Sequence, residues 1–96
     1  MFDKIKKLQN LQKSVNDLKQ SLATEQVEGT DESGKIKIKM NGNQEVLNVN
    51  IEPELLSRRE ELESGLGQAF NDAVKKSQQL MMDKMKYIKD IPGLSL

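Results

Sequence analysis

The chain has 96 residues, 35% apolar and 3% aromatic, with 15 basic residues balanced by 15 acidic ones and neither cysteine nor histidine. A single domain of this size and composition has a thin core of its own, so a core shared with a second copy is expected. The missing cysteine excludes a disulfide framework or zinc ribbon, and the missing histidine removes the commonest general base.

From about Asp3 to Ala23, apolar residues fall at Ile5, Leu8, Leu11, Val15, Leu18 and Leu22. Steps of three and four predict one helix over residues 1–23, and positions 8, 11, 15, 18 and 22 also fit a coiled-coil seam. Lys4, Lys6, Lys7, Lys13 and Lys19 stand here against only Asp3 and Asp17. The opening MFDKIKKLQNLQ lacks the apolar stretch of a signal peptide, and no apolar run approaches the ~18 residues of a membrane span. A soluble, cytoplasmic chain is the expectation.

Residues 25–51 read as strands. TEQVEGTDESG loses the helical period, which places a short strand near Val27 and an acidic loop after it. Strict alternation from Lys35 to Met40 predicts a half-buried strand with Lys35, Lys37 and Lys39 on its wet side, NGN at 41–43 signals a hairpin turn, and EVLNVNI returns with Leu47, Val49 and Ile51 on one face. On such a strand the outward residues must be polar, so the lysine stripe is at most an auxiliary contact. The segment GTDESGKI has the glycines and lysine of a phosphate-binding loop. However, Ile36 replaces the hydroxyl residue, Asp31 and Glu32 would repel phosphate, and a strand follows where a helix belongs.

Residues 53–89 read as helices. Pro53 suits the first turn of a short one. Ser57 and Glu60 have capping-box spacing ahead of a long one carrying Leu62, Leu66, Phe70, Ala73, Val74, Leu80, Met81, Met85 and Ile88, with Gly65 and Gly67 weakening its start and marking a site for a break. Residues 90–96 form a tail that leaves the helix before Pro92. Across 25–63, ten carboxylates face five cations, whereas Lys75, Lys76, Lys84, Lys86 and Lys89 outnumber the acids of the C-terminal third. Any anion site therefore belongs at the two basic ends. No acid cluster has calcium-loop spacing, so no metal is expected. No serine has a catalytic partner, so no enzyme is expected either.

The succession of LQNLQK, V-x-G, the MNG hairpin, I-x-PELL, AFNDA and the closing Pro92-Gly93-Leu94 resembles the YbaB/EbfC family of nucleoid-associated proteins over nearly the whole chain. The resemblance implies an α+β homodimer with helix, three-stranded antiparallel sheet, short helix and long helix, whose sheets join and whose long helices project as arms around DNA. It implies no catalytic residue and no cofactor. The polar helix faces carry both charge signs with much Gln and Asn, so no membrane partner is expected, and no small-molecule substrate is expected either. Two features depart from the family pattern. The loop before the hairpin holds Asp31, Glu32 and Ser33 where glycine is usual, and a pI near 6.3 is low for a DNA binder unless the basic ends converge. If the long helices run antiparallel, Lys4, Lys6 and Lys7 should lie near Lys84, Lys86 and Lys89 and contact phosphates there, while Leu47, Val49 and Ile51 contribute to the dimer interface. A rival expectation from the same arms and methionines is a dimeric adaptor or chaperone that holds a partner polypeptide.

Overall fold

The computed structural model describes residues 2–88. Helix α1 (Phe2–Thr24) leads into strands β1 (Gln26–Thr30), β2 (Ile36–Asn41) and β3 (Val46–Ile51), a 3₁₀ turn (Pro53–Ser57) and helix α2 (Arg59–Ile88). The sheet is antiparallel in the order β1-β2-β3. Lys89 and the tail at 90–96 lie outside the described residues.

The alternation in β2 sends Ile36, Ile38 and Met40 beneath α2, where they are buried with Leu55, Ala69 and Ala73. Each large apolar side chain buried this way contributes roughly 1.5–3 kcal/mol. Val27, Ile51, Leu62, Leu66 and Val74 close the margins of this core. Small residues spaced by four, Gly65, Ala69, Ala73 and Ser77, form the deepest row of α2. The large residues expected to dominate its buried face sit on the flanks, and Phe70 is 45% exposed. Gly29 explains the arrangement: a Cβ there would stand 2.3 Å from both Ala69 O and Ala73 N, so only glycine lets the helix backbone settle on β1. Gly65 plays the same part against Ile36. Helix α2 runs unbroken from Arg59 to Ile88, and the break expected at Gly65 and Gly67 does not occur. The capping box is also absent. Ser57 Oγ donates to Glu54 O instead, and Leu62 N closes the first turn of α2 onto Arg58 O.

The hairpin turn forms where NGN predicts it, with Gln44 rather than a glycine taking positive φ. Asn41 is buried and satisfied on every side. Its Oδ1 accepts from Asn43 N and Glu45 N, its Nδ2 donates to Glu45 Oε1, and its carbonyl accepts from Ser77 Oγ. Gly42 serves a close approach: its N–H reaches Leu22 O at 2.8 Å, and a Cβ would stand 2.6 Å from Leu22 Cδ2. The turn thus caps one of the carbonyls left over at the end of α1 and fixes the root of that helix to the sheet. Beyond Leu22, which is buried, α1 stands largely clear: Ile5, Leu8 and Val15 are exposed. The long dimension of the molecule is 65 Å.

Candidate nucleic-acid interface

The cations divide into those the fold uses and those it leaves outward. Lys84 Nζ lies 2.7 Å from Glu25 Oε1 and 2.6 Å from Ser21 Oγ, which ties α2 to the root of α1. Lys4, Lys6 and Lys7 are exposed and lie 14 to 17 residues farther along α1 from Ser21, about 21–26 Å away at 1.5 Å per residue. The expected single tip is therefore corrected within one protomer: the N-terminal lysines form the end of an arm, and Lys84 is a strut at its base. The offset arises because α1 is rooted at the hairpin by Leu22, so α2 meets its C-terminal end. Lys86 is exposed and rests loosely on Asp83 at 3.7 Å.

The lysine stripe of the sheet also divides. Lys35 precedes β2, is half-buried and pairs with Glu54 at 3.0 Å, so it leaves the wet row that the sequence suggests. This ammonium, through its hydrogen bond and its charge, holds the Glu54 carboxyl below its ordinary value. Lys37 and Lys39 face outward as expected.

The phosphate-loop likeness is closed by geometry. Asp31 Oδ1 accepts the Ile36 N–H at 3.0 Å, its Oδ2 takes the Ser33 hydroxyl, and Gly34 turns at φ 74°. A carboxylate of the chain itself thus occupies the place an anion would need. Burial pushes the Asp31 carboxyl up, but the Ser33 hydroxyl and the backbone donors of Ile36 and Lys35 outweigh it, and the net shift is downward. The adjoining cleft of about 350 Å³ sets four carboxylates, Asp31, Glu32, Glu60 and Glu61, against the single cation Lys35, which itself pairs with Glu54, and this balance disfavours phosphate. Among the described residues no group of three or more acids is gathered to hold a metal ion, and no helix is long and apolar enough to cross a membrane.

The two sheet edges differ. At β1, Asp72 Oδ2 accepts the Thr30 N–H at 2.9 Å, and Lys76 Nζ donates to Glu28 O at 2.8 Å while pairing with Asp72 at 3.0 Å. The Thr30 donor, then Lys76, draws the Asp72 carboxyl below its ordinary value. Side chains of α2 thereby blunt that edge. Among the described residues nothing caps the outer edge of β3. The register slips between Lys39↔Asn48 and Met40↔Val46, which leaves Leu47 as the extra residue of a bulge. Leu47 and Val49 are 47% and 45% exposed, as are Val46 and Phe70 to a similar degree, whereas Ile51 packs against the protomer's own core. Sequence reasoning missed Val46, hidden beside the bulge, and Phe70, which the helical period assigned to the core. It also missed the Asp72 and Lys76 edge caps, whose only sequence signal is their i,i+4 spacing.

A family model described as the YbaB/EbfC DNA-binding family matches residues 1–90. A nucleoid-associated protein of Chloroflexus aurantiacus is 39% identical over 80 residues, covering 81% of this chain and 80% of that one. A nucleoid-associated protein of Synechococcus elongatus is 35% identical over 98 residues, covering 98% and 87%. The crystal structure of the uncharacterized protein HP0035 from Helicobacter pylori superposes with a TM-score of 0.77 at 20% identity, over 84% of this chain and 87% of that one, which shows a shared fold.

Proposed function

The chain belongs to the YbaB/EbfC DNA-binding family, and from that premise we propose that it is a nucleoid-associated homodimer that holds duplex DNA through phosphate contacts and thereby organises the nucleoid or affects transcription. The observation that carries this reading is the placement of Lys4, Lys6 and Lys7 at the end of a projecting arm, away from the acidic middle of the chain. A phosphate-binding surface works best where cations outnumber carboxylates, and the first sixteen residues hold Lys4, Lys6, Lys7 and Lys13 against Asp3; such contacts supply affinity with little sequence information. Lys86, at the base of the arm, is a further contact, and Lys89 continues the same basic end of the sequence.

The dimer is supported by the asymmetry of the sheet edges. With β1 blunted by Asp72 and Lys76, addition of a second copy is directed to β3, whose open edge carries the half-exposed Val46, Leu47 and Val49. Such an isologous contact satisfies edge groups and covers apolar surface in one step. It sets two arms on one body, and the nucleoid names of the relatives accord with a cytoplasmic location.

Binding of two duplexes of unrelated sequence by fluorescence anisotropy tests the reading. The wild type should bind both within about threefold, and Lys4→Gln/Lys6→Gln/Lys7→Gln should weaken both alike. A strong preference for one duplex, or a folded triple variant with unchanged affinity, contradicts it. One observation favours a second reading: Ile5, Leu8, Met82 and Met85 are exposed along the helices, an adaptable apolar surface suited to a partner polypeptide. An adaptor of that kind would bind DNA no better than the triple variant does.

A further inference from the structure

One face of the sheet lies under α2, and among the described residues nothing covers the other. Across the open face the strand register aligns Thr30, Lys37 and Asn50 in one row, and Glu28, Lys39 and Asn48 in the next. Lys37, Lys39, Asn48 and Asn50 are exposed. Unlike Lys35, Lys76 and Lys84, neither Lys37 nor Lys39 is held by an ion pair among the described residues. Ammonium and carboxamide groups supply donors on a flat surface, with Glu28 as the one carboxylate in these two rows. That chemistry suits phosphate oxygens. The face offers no aromatic platform on which single-stranded bases could stack.

The proposed dimer enlarges the array. If β3 pairs with its copy, the asparagines of both protomers meet at the centre, and the two β2 strands lie three strand spacings apart, about 14 Å. Lysines then flank an amide-rich middle. This surface is remote from the arm ends, because Lys6 stands about 24 Å along α1 from Leu22, which is fixed at the hairpin.

We infer that the open sheet face is a second, weaker phosphate-binding surface, so that one dimer bridges two duplexes, one at the arms and one on the sheet. The inference rests on the DNA-binding homodimer proposed above. Its test is capture of a fluorescent duplex by an immobilised duplex of unrelated sequence, using the full chain and checking each variant's fold by circular dichroism. Wild type should carry the second duplex onto the beads. Lys37→Gln/Lys39→Gln should bind the immobilised duplex within about twofold of wild type yet capture roughly fivefold less of the second, because only the weaker surface loses its counterion-releasing charges. Arg58→Gln/Arg59→Gln, which removes the same charge from the acidic middle of the chain, where both cations already pair with Glu61 and Glu63, should capture normally. Undiminished capture by the sheet variant, an equal loss in the control, or a wild type that binds the first duplex and captures nothing would each overturn the second surface while leaving DNA binding intact. Failure of wild type to bind the immobilised duplex would overturn both the bridging and the reading beneath it.

Discussion

Gly29 and Gly67 are the same residue in opposite situations. At Gly29 a methyl group would collide with the backbone of α2, whereas at Gly67 nothing lies within 4 Å. Gly29→Ala should therefore cost about 2 kcal/mol or more through forced separation of helix and strand. Gly67→Ala, in an exposed helix interior, should stabilise by about 0.5–1 kcal/mol. Urea denaturation of the two variants checks both signs. Asp72 gives a second residue-level prediction. Its folded-state pKa is lowered by the Thr30 N–H and then by Lys76, so its contribution is fully present above the ordinary aspartate value of about 3.9 and is lost as pH falls through the lower folded value. Asp72→Asn should lower stability at pH 7 by about 1 kcal/mol, a figure already reduced for solvent screening of a partly exposed carboxylate. The gap to wild type should close as the pH drops below 4, whereas a pH-independent gap would assign the loss to something other than the charge.

Elements were legible where a period or a turn residue carries them. The stripe from Ile5 to Leu22 announced α1, the alternation around Ile36, Ile38 and Met40 announced β2, and Asn41-Gly42 announced the hairpin. What the sequence hid were relations between elements. Nothing in a linear pattern shows that Gly42 is small because Leu22 sits on it, that Leu47 is a bulge, or that Lys84 reaches back to Glu25 instead of extending toward Lys4. Small residues such as Ala69 and Ala73 also look unimportant in a hydrophobicity count, yet they are fully buried where α2 meets Gly29 of β1. At this scale the two kinds of lysine should behave differently. Lys84→Gln should loosen the root of α1, seen as faster amide exchange near Ser21, and leave DNA affinity within about twofold, since its charge is already partnered. A tenfold loss of affinity in a normally protected helix would show Lys84 to be a direct contact. For the sheet edge, Val49→Asp places a charge where the second copy is proposed to dock. Sedimentation at micromolar concentration should show a shift from dimer toward monomer, because a buried unpaired carboxylate opposes association. A variant that remains fully dimeric would remove β3 from the interface.

For the whole molecule, charge balance is a poor guide to partners, because equal totals of acid and base are arranged unequally in space. The carboxylates Asp31 and Glu32 of the β1–β2 loop gather with Glu60 and Glu61 at the first turn of α2, while the N-terminal lysines stand at the end of an arm in a particle 65 Å long. That separation lets a chain with a pI near 6.3 present a locally basic surface to an anionic polymer. The central claim is that this surface binds DNA by displacing counterions, and the dependence of affinity on salt tests it most directly. With about four or five phosphates engaged by the two arms of a dimer, log K for a duplex should fall against log salt with a slope near −4, at roughly −0.9 per contact, and Lys4→Gln/Lys6→Gln/Lys7→Gln should reduce that slope to about half or less. An affinity indifferent to salt in the wild type, or an unchanged slope in a folded triple variant, would contradict the account.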